Sequence, residues 1–166
     1  MNTAVDCERE SVMIKLQRLG HVLIAVRDLE KSKDFYTRIL GFKLLEQDPE
    51  HGGVFLSIDG MGNTLDLFPC TDPAAVAPAG GGPTSGLGVR HTAFAVATEL
   101  DLKDAWHALE DAGVPILRAI DHVSQKSLYF HDPDGNLLEI VWERPDALEI
   151  FARGRGDDDK PFSYSR

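Results

Sequence analysis

One pattern is written twice along this chain, and it limits the possible folds more than any other feature. Residues 20–26 (GHVLIAV) and 90–96 (RHTAFAV) are alternating, β-branched runs that read as strands. A helix follows each. The first opens at Asp28, a good N-cap, runs through Leu29, Phe35, Tyr36 and Ile39, and stops at Gly41. The second opens at Thr98, whose spacing to Asp101 suits a capping box, runs through Ala105, Trp106 and Leu109, and stops at Gly113. Three short strands are then expected after each helix, at 43–47, 54–58 and 64–68 in the first half and at 115–119, 127–130 and 137–142 in the second. Each half reads β-α-β-β-β over about 50 residues. Two unrelated α+β halves would not repeat strand, cap, helix stop and inward polar residue in one order.

The pattern divides the chain into an N-terminal extension (1–18), a first module (19–68), a linker (69–88), a second module (89–143) and a C-terminal segment (144–166). The linker, PCTDPAAVAPAGGGPTSGLG, is rich in Pro, Ala and Gly. The C-terminal segment is expected to hold a short helix capped by Asp146 and ending near Gly154, then a disordered acidic tail. At 166 residues the two modules form one domain of α+β class.

Charge removes several function classes. Seventeen basic and 27 acidic residues give a net charge of −10, which argues against nucleic acid and anionic lipid as partners. Two cysteines, Cys7 and Cys70, make neither a disulfide framework nor a zinc site. No run approaches 18 apolar residues, and the N-terminal stretch has no apolar core of a secretion signal. The expected location is the cytoplasm, and the expected partner is a small molecule.

Four polar residues interrupt otherwise apolar strands: His21, Asp66, His91 and Glu139. A carboxylate in such a place needs a partner, because an unpaired buried charge costs several kcal/mol. The histidines are 70 residues apart and the acids 73, so the four occupy matched places in the repeat. If the modules bring first and last strands together, the side chains converge. Two imidazoles and a carboxylate with open positions form the facial triad of non-haem Fe(II) enzymes and also suit other six-coordinate divalent metals. Asp-Pro-Asp-Gly-Asn (132–136) reads as a hairpin turn delivering Glu139. His122 falls in a loop between strands, where an imidazole can move protons.

The segments GHVLIAVRDLEKSKDFYTRILGFKL, RHTAFAV and DPDGNLLEI resemble the vicinal oxygen chelate superfamily, which includes glyoxalase I, fosfomycin and bleomycin resistance proteins, methylmalonyl-CoA epimerase and extradiol ring-cleaving dioxygenases. The resemblance covers about residues 19–143 and implies paired βαβββ modules forming a cupped, barrel-like sheet around a metal. Residues 120–139 are similar to the extradiol dioxygenase signature: an aliphatic residue, any residue, His, a spacer, Leu-Tyr, two residues, Asp-Pro-x-Gly and Glu. That likeness implies His21, His91 and Glu139 as ligands of Fe(II) or Mn(II), His122 as the acid/base and hydrogen-bonding residue, and Tyr129 as an outer partner of substrate or ligand. It implies a homodimer cleaving a catecholic ring with O2. Two departures stand out. Asn63 occupies the place where many extradiol enzymes carry a histidine facing dioxygen. Asp66 stands where glyoxalase I and the epimerases have a longer fourth ligand. The alternatives are a glyoxalase-like lyase or epimerase working through a metal-bound enediolate, with Ni, Zn or Co, and a non-catalytic drug-binding protein of the same fold.

Overall fold

The computed structural model describes residues 19–49, 52–58, 62, 64–71, 89–154, 156 and 158–165. The repeat is realised as two sheets. The first module contributes β1 (Val22–Val26), α1 (Leu29–Asp34), β2 (Lys43–Gln47), β3 (Val54–Ser57) and β4 (Leu65–Pro69). The second contributes β5 (Thr92–Ala95), α2 (Glu99–Asp111), β6 (Arg118–Asp121), β7 (Gln125–His131) and β8 (Leu137–Glu143). A helix α3 (Ala147–Arg153) and a two-residue strand β9 (Lys160–Pro161) follow.

Both module helices begin and end as their sequences require. Asp28 accepts from the Lys31 amide at 3.0 Å, and α1 runs on into a π-helical stretch, Phe35–Ile39, before Gly41 takes a φ of +75°. The capping box at α2 is complete, with Thr98 and Asp101 each satisfying the other's backbone N–H, and Gly113 at φ +69° ends that helix's turn.

Strand order is β1-β4-β3-β2 in one sheet and β5-β8-β7-β6-β9 in the other, and the two sheets do not close into a barrel. In each module the first strand lies parallel to the last, and the remaining pairs are antiparallel. Alternation then sorts side chains by face. Leu65 and Leu67 of β4, Leu128 and Phe130 of β7, and Leu138 and Ile140 of β8 turn inward with Leu102 and Leu109 of α2. One apolar cluster draws on both modules, and the Phe42 and Phe94 rings meet edge to face across the boundary at 5.3 Å. Each fully buried leucine contributes about 1.5–3 kcal/mol relative to exposure.

Several expectations shift. The second strand of module two lies at Arg118–Asp121, not 115–119; Pro115 has no N–H to give a ladder. Asp146 stands at the α3 N-cap position, but its side chain caps nothing and takes a hydrogen bond from Arg144 Nε instead (3.2 Å). The tail is not disordered over 158–165: β9 pairs antiparallel with β6, and Phe162 and Tyr164 pack against Trp106. Those aromatic contacts are what a purely acidic tail would have lacked. Asn63 and Cys7 lie outside the described residues.

Candidate metal and catalytic site

The register of each sheet places a histidine beside an acid. Leu23 pairs with Asp66 and Ala93 with Glu139, so His21 and His91 each stand two residues before the partner of the acid. Residues two apart share a face, so histidine and carboxylate meet. His91 Nε2 is 2.9 Å from Glu139 Oε2, and His21 Nε2 is 3.6 Å from Asp66 Oδ2. Both acids are almost fully buried, whereas the histidine side chains are 40% and 54% exposed. The histidines themselves lie one residue before β1 and β5 rather than within them.

The second sheet carries the richer half. Glu139 lies directly across from Tyr129, and Tyr129 from Arg118, so all three project from one face. The Arg118 guanidinium sits 4.2 Å from the Tyr129 ring centroid, a cation–π stack. The Tyr129 ring meets the rings of His91 and His122 edge to face, at 6.0 and 6.3 Å. The Tyr129 hydroxyl and His122 Nε2 share a hydrogen bond of 3.1 Å, and His122 Nδ1 lies 2.7 Å from Asp159 Oδ2, a carboxylate oxygen that can only accept. A cavity of about 370 Å³ is lined by Arg90, His91, Arg118, His122, Tyr129 and Asp159, among others. Burial, and then the charge of Glu139, raise the Tyr129 phenol above its ordinary range.

The sequence-derived residues therefore divide into two groups. His91, Glu139, His122 and Tyr129 come together. His21 does not join them in one chain; it pairs with Asp66 on the other sheet. Among the described residues, no three His, Cys, Asp or Glu side chains converge as a metal-binding group. The His91–Glu139 pair is nonetheless suited to a cation. Glu139 Oε1 is buried without a hydrogen-bond partner, a costly state that a divalent metal held with His91 would relieve. Arg118 and Asp159 were missed by sequence reasoning. Period-2 alternation with Ile120 could have placed Arg118 on this face; nothing local marks Asp159.

The comparisons with known proteins agree with this architecture. Biphenyl-2,3-diol 1,2-dioxygenase 2 of Rhodococcus globerulus is 28% identical over 145 residues, covering 86% of this chain and 73% of that protein. Glutathione transferase FosA of Serratia marcescens is 36% identical over 127 residues, covering 75% and 80%. The crystal structure of a glyoxylase/bleomycin resistance protein/dioxygenase domain from Frankia sp. EAN1pec superposes with a TM-score of 0.63 at 25% identity, covering 78% and 100%. The chain spans between 42% and 73% of the length of the three dioxygenase relatives that it matches. The family model of the Glyoxalase/Bleomycin resistance protein/Dioxygenase superfamily matches residues 18–140, and the chain belongs to that superfamily.

Proposed function

We propose that this protein is a metal-dependent dioxygenase of extradiol type, acting on a catecholic small molecule and O2. The observation that carries the reading is the single cavity bordered by His91, His122 and Tyr129, with Glu139 registered directly across from Tyr129 and its Oε1 buried without a partner. The dioxygenase relative, named for a vicinal aromatic diol, supports the choice among the reactions of the family.

In this reading His91 and Glu139 hold the ion, Fe(II) or Mn(II), and His21 is the third donor. A bound ion of this kind supplies a redox-active Lewis acid at which a diol and dioxygen can react. The remaining work belongs to the chain. Tyr129 and His122 hold a proton between Oη and Nε2 beside the substrate, and Arg118 fixes the Tyr129 ring by stacking on it. His21 stands on the other sheet, so a second copy is the source of this donor to the His91–Glu139 pair. Leu19, Leu23 and Val89, each two residues from His21 or His91, are 77%, 57% and 83% exposed, as residues awaiting a second subunit would be.

The test is anaerobic loading with Fe(II) or Mn(II), followed by oxygen uptake and a yellow ring-opened product across a panel of catechols. Uptake with one class of catechol is expected. No uptake with either metal, together with isomerisation of a hemithioacetal, would contradict the reading.

A further inference from the structure

His122 is held on both ring nitrogens, by residues from different parts of the chain. Its Nε2 faces Tyr129, seven residues away on β7, and its Nδ1 faces Asp159, 37 residues away in the C-terminal segment. A carboxylate can only accept, so the proton of the neutral ring sits on Nδ1 and Nε2 is left as the acceptor for the phenol. The position of Asp159 is set by anchors outside the site. Lys160 pairs with Asp121 in the β9–β6 ladder, and the Phe162 amide donates to the Ala119 carbonyl at 3.1 Å. Phe162 and Tyr164 then stack against Trp106 of α2. The opposite side is equally defined. His122 belongs to the tight β6–β7 turn, where its amide donates to Gln125 and Val123 takes a φ of +69°. That conformation is a strained one for a β-branched residue.

We propose that Asp159 is a positioning residue for His122, supplied by the folded-back C-terminal segment. Its carboxylate selects the Nδ1–H tautomer and fixes the ring plane, so that Nε2 is presented to Tyr129 and the cavity as a proton acceptor. Without it the imidazole would exchange between two tautomers of similar energy and turn about its Cβ–Cγ bond. A proton taken up at Nε2 leaves from the same atom, so the ring returns to its starting state. No electrons move and no group is transferred. The inference rests on the reading of His122 and Tyr129 as the proton-handling pair, but its geometry does not depend on which reaction they serve.

The test therefore has two arms. In metal-free, 15N-labelled protein, long-range proton–nitrogen spectra report the His122 tautomer, assigned by its disappearance in His122→Gln. The Nδ1–H form is expected in the wild type and in Asp159→Glu, with a mixture in Asp159→Ala. An identical tautomer in wild type and Asp159→Ala overturns the proposal. In the metal-loaded enzyme, Asp159→Ala is expected to lower kcat on the order of 10- to 100-fold, the usual loss when a carboxylate orienting a functional imidazole is removed, with KM within about two-fold. His122→Gln lowers kcat at least as far, and the double variant no further, because the two act as a unit. Additive losses contradict the proposal, since a merely structural tail contact would add. If wild type turns over no catechol, the dioxygenase reading fails while the tautomer arm still decides the role of Asp159.

Discussion

Tyr129 differs from its counterpart in the other module by one hydroxyl, and the difference marks which half carries the chemistry. In the second sheet one cross-strand row reads Ala93, Glu139, Tyr129, Arg118; in the first the matching row reads Leu23, Asp66, Phe55, Glu46. Both rows keep the acid, but only the second has a phenol and a cation beside it. His91, Glu139, His122 and Tyr129 were legible in the sequence because each sits at a fixed place in a repeat or a motif. Asp159 was not, since its role arises only when the tail folds back. The three tyrosines of the chain share one direction of shift. Burial is the leading cause in all three. The charge of Asp132 adds at Tyr36 and that of Glu139 at Tyr129, and Tyr164 is pushed up to about 12 with help from Glu99. Raised folded values mean that the unfolded chain ionises first. For Tyr164 the stabilising contribution is full below pH 10.0 and is lost as pH rises from there through about 12. Metal-free protein should show far less than half of its phenolate absorbance at pH 10.0 and a falling urea midpoint above it. Half-ionised tyrosines at that pH in a folded chain would contradict the packing described.

At the scale of elements, the turn after β7 has a second role. Asp-Pro-Asp-Gly-Asn makes the expected hairpin, with Gly135 at φ +88°, yet it also joins the modules. Asp132 accepts from the Tyr36 hydroxyl at 2.9 Å and from the Asn136 side chain at 2.8 Å, while Asp134 accepts from the Arg27 amide and guanidinium and from Ser32. The bonds to Tyr36, Arg27 and Ser32 span about a hundred residues of sequence, so no local pattern could announce them, whereas the caps at Asp28 and Thr98 act within one turn and were readable. Tyr36 is fully buried, so removing its hydroxyl leaves a buried carboxylate short of a donor. Tyr36→Phe is expected to lower unfolding free energy by about 1.5–3 kcal/mol, the usual loss for a hydrogen bond to a charged group. Urea denaturation measures it; an unchanged midpoint would mean that the turn does not hold the modules.

At the scale of the whole molecule, the repeat made the fold readable in advance: two βαβββ units, their order and their helix ends. It did not reveal that one chain would leave two histidine–acid pairs on separate sheets, because convergence depends on how sheets meet. The homodimer reading makes a specific prediction. His21→Ala and Glu139→Gln each damage a different half of the site, so exchanging subunits between the two inactive proteins should restore about a quarter of the sites, in mixed dimers with one intact set. No recovery would place the complete site within a single chain. The central claim is that Glu139, with His91, holds a divalent metal. It is tested most directly by anaerobic calorimetric titration of Fe(II) into the wild type and into Glu139→Gln, with folding of both verified. The account predicts one ion per chain in the wild type and loss of that binding in the variant; no binding in the wild type, or equal binding in both, would contradict it.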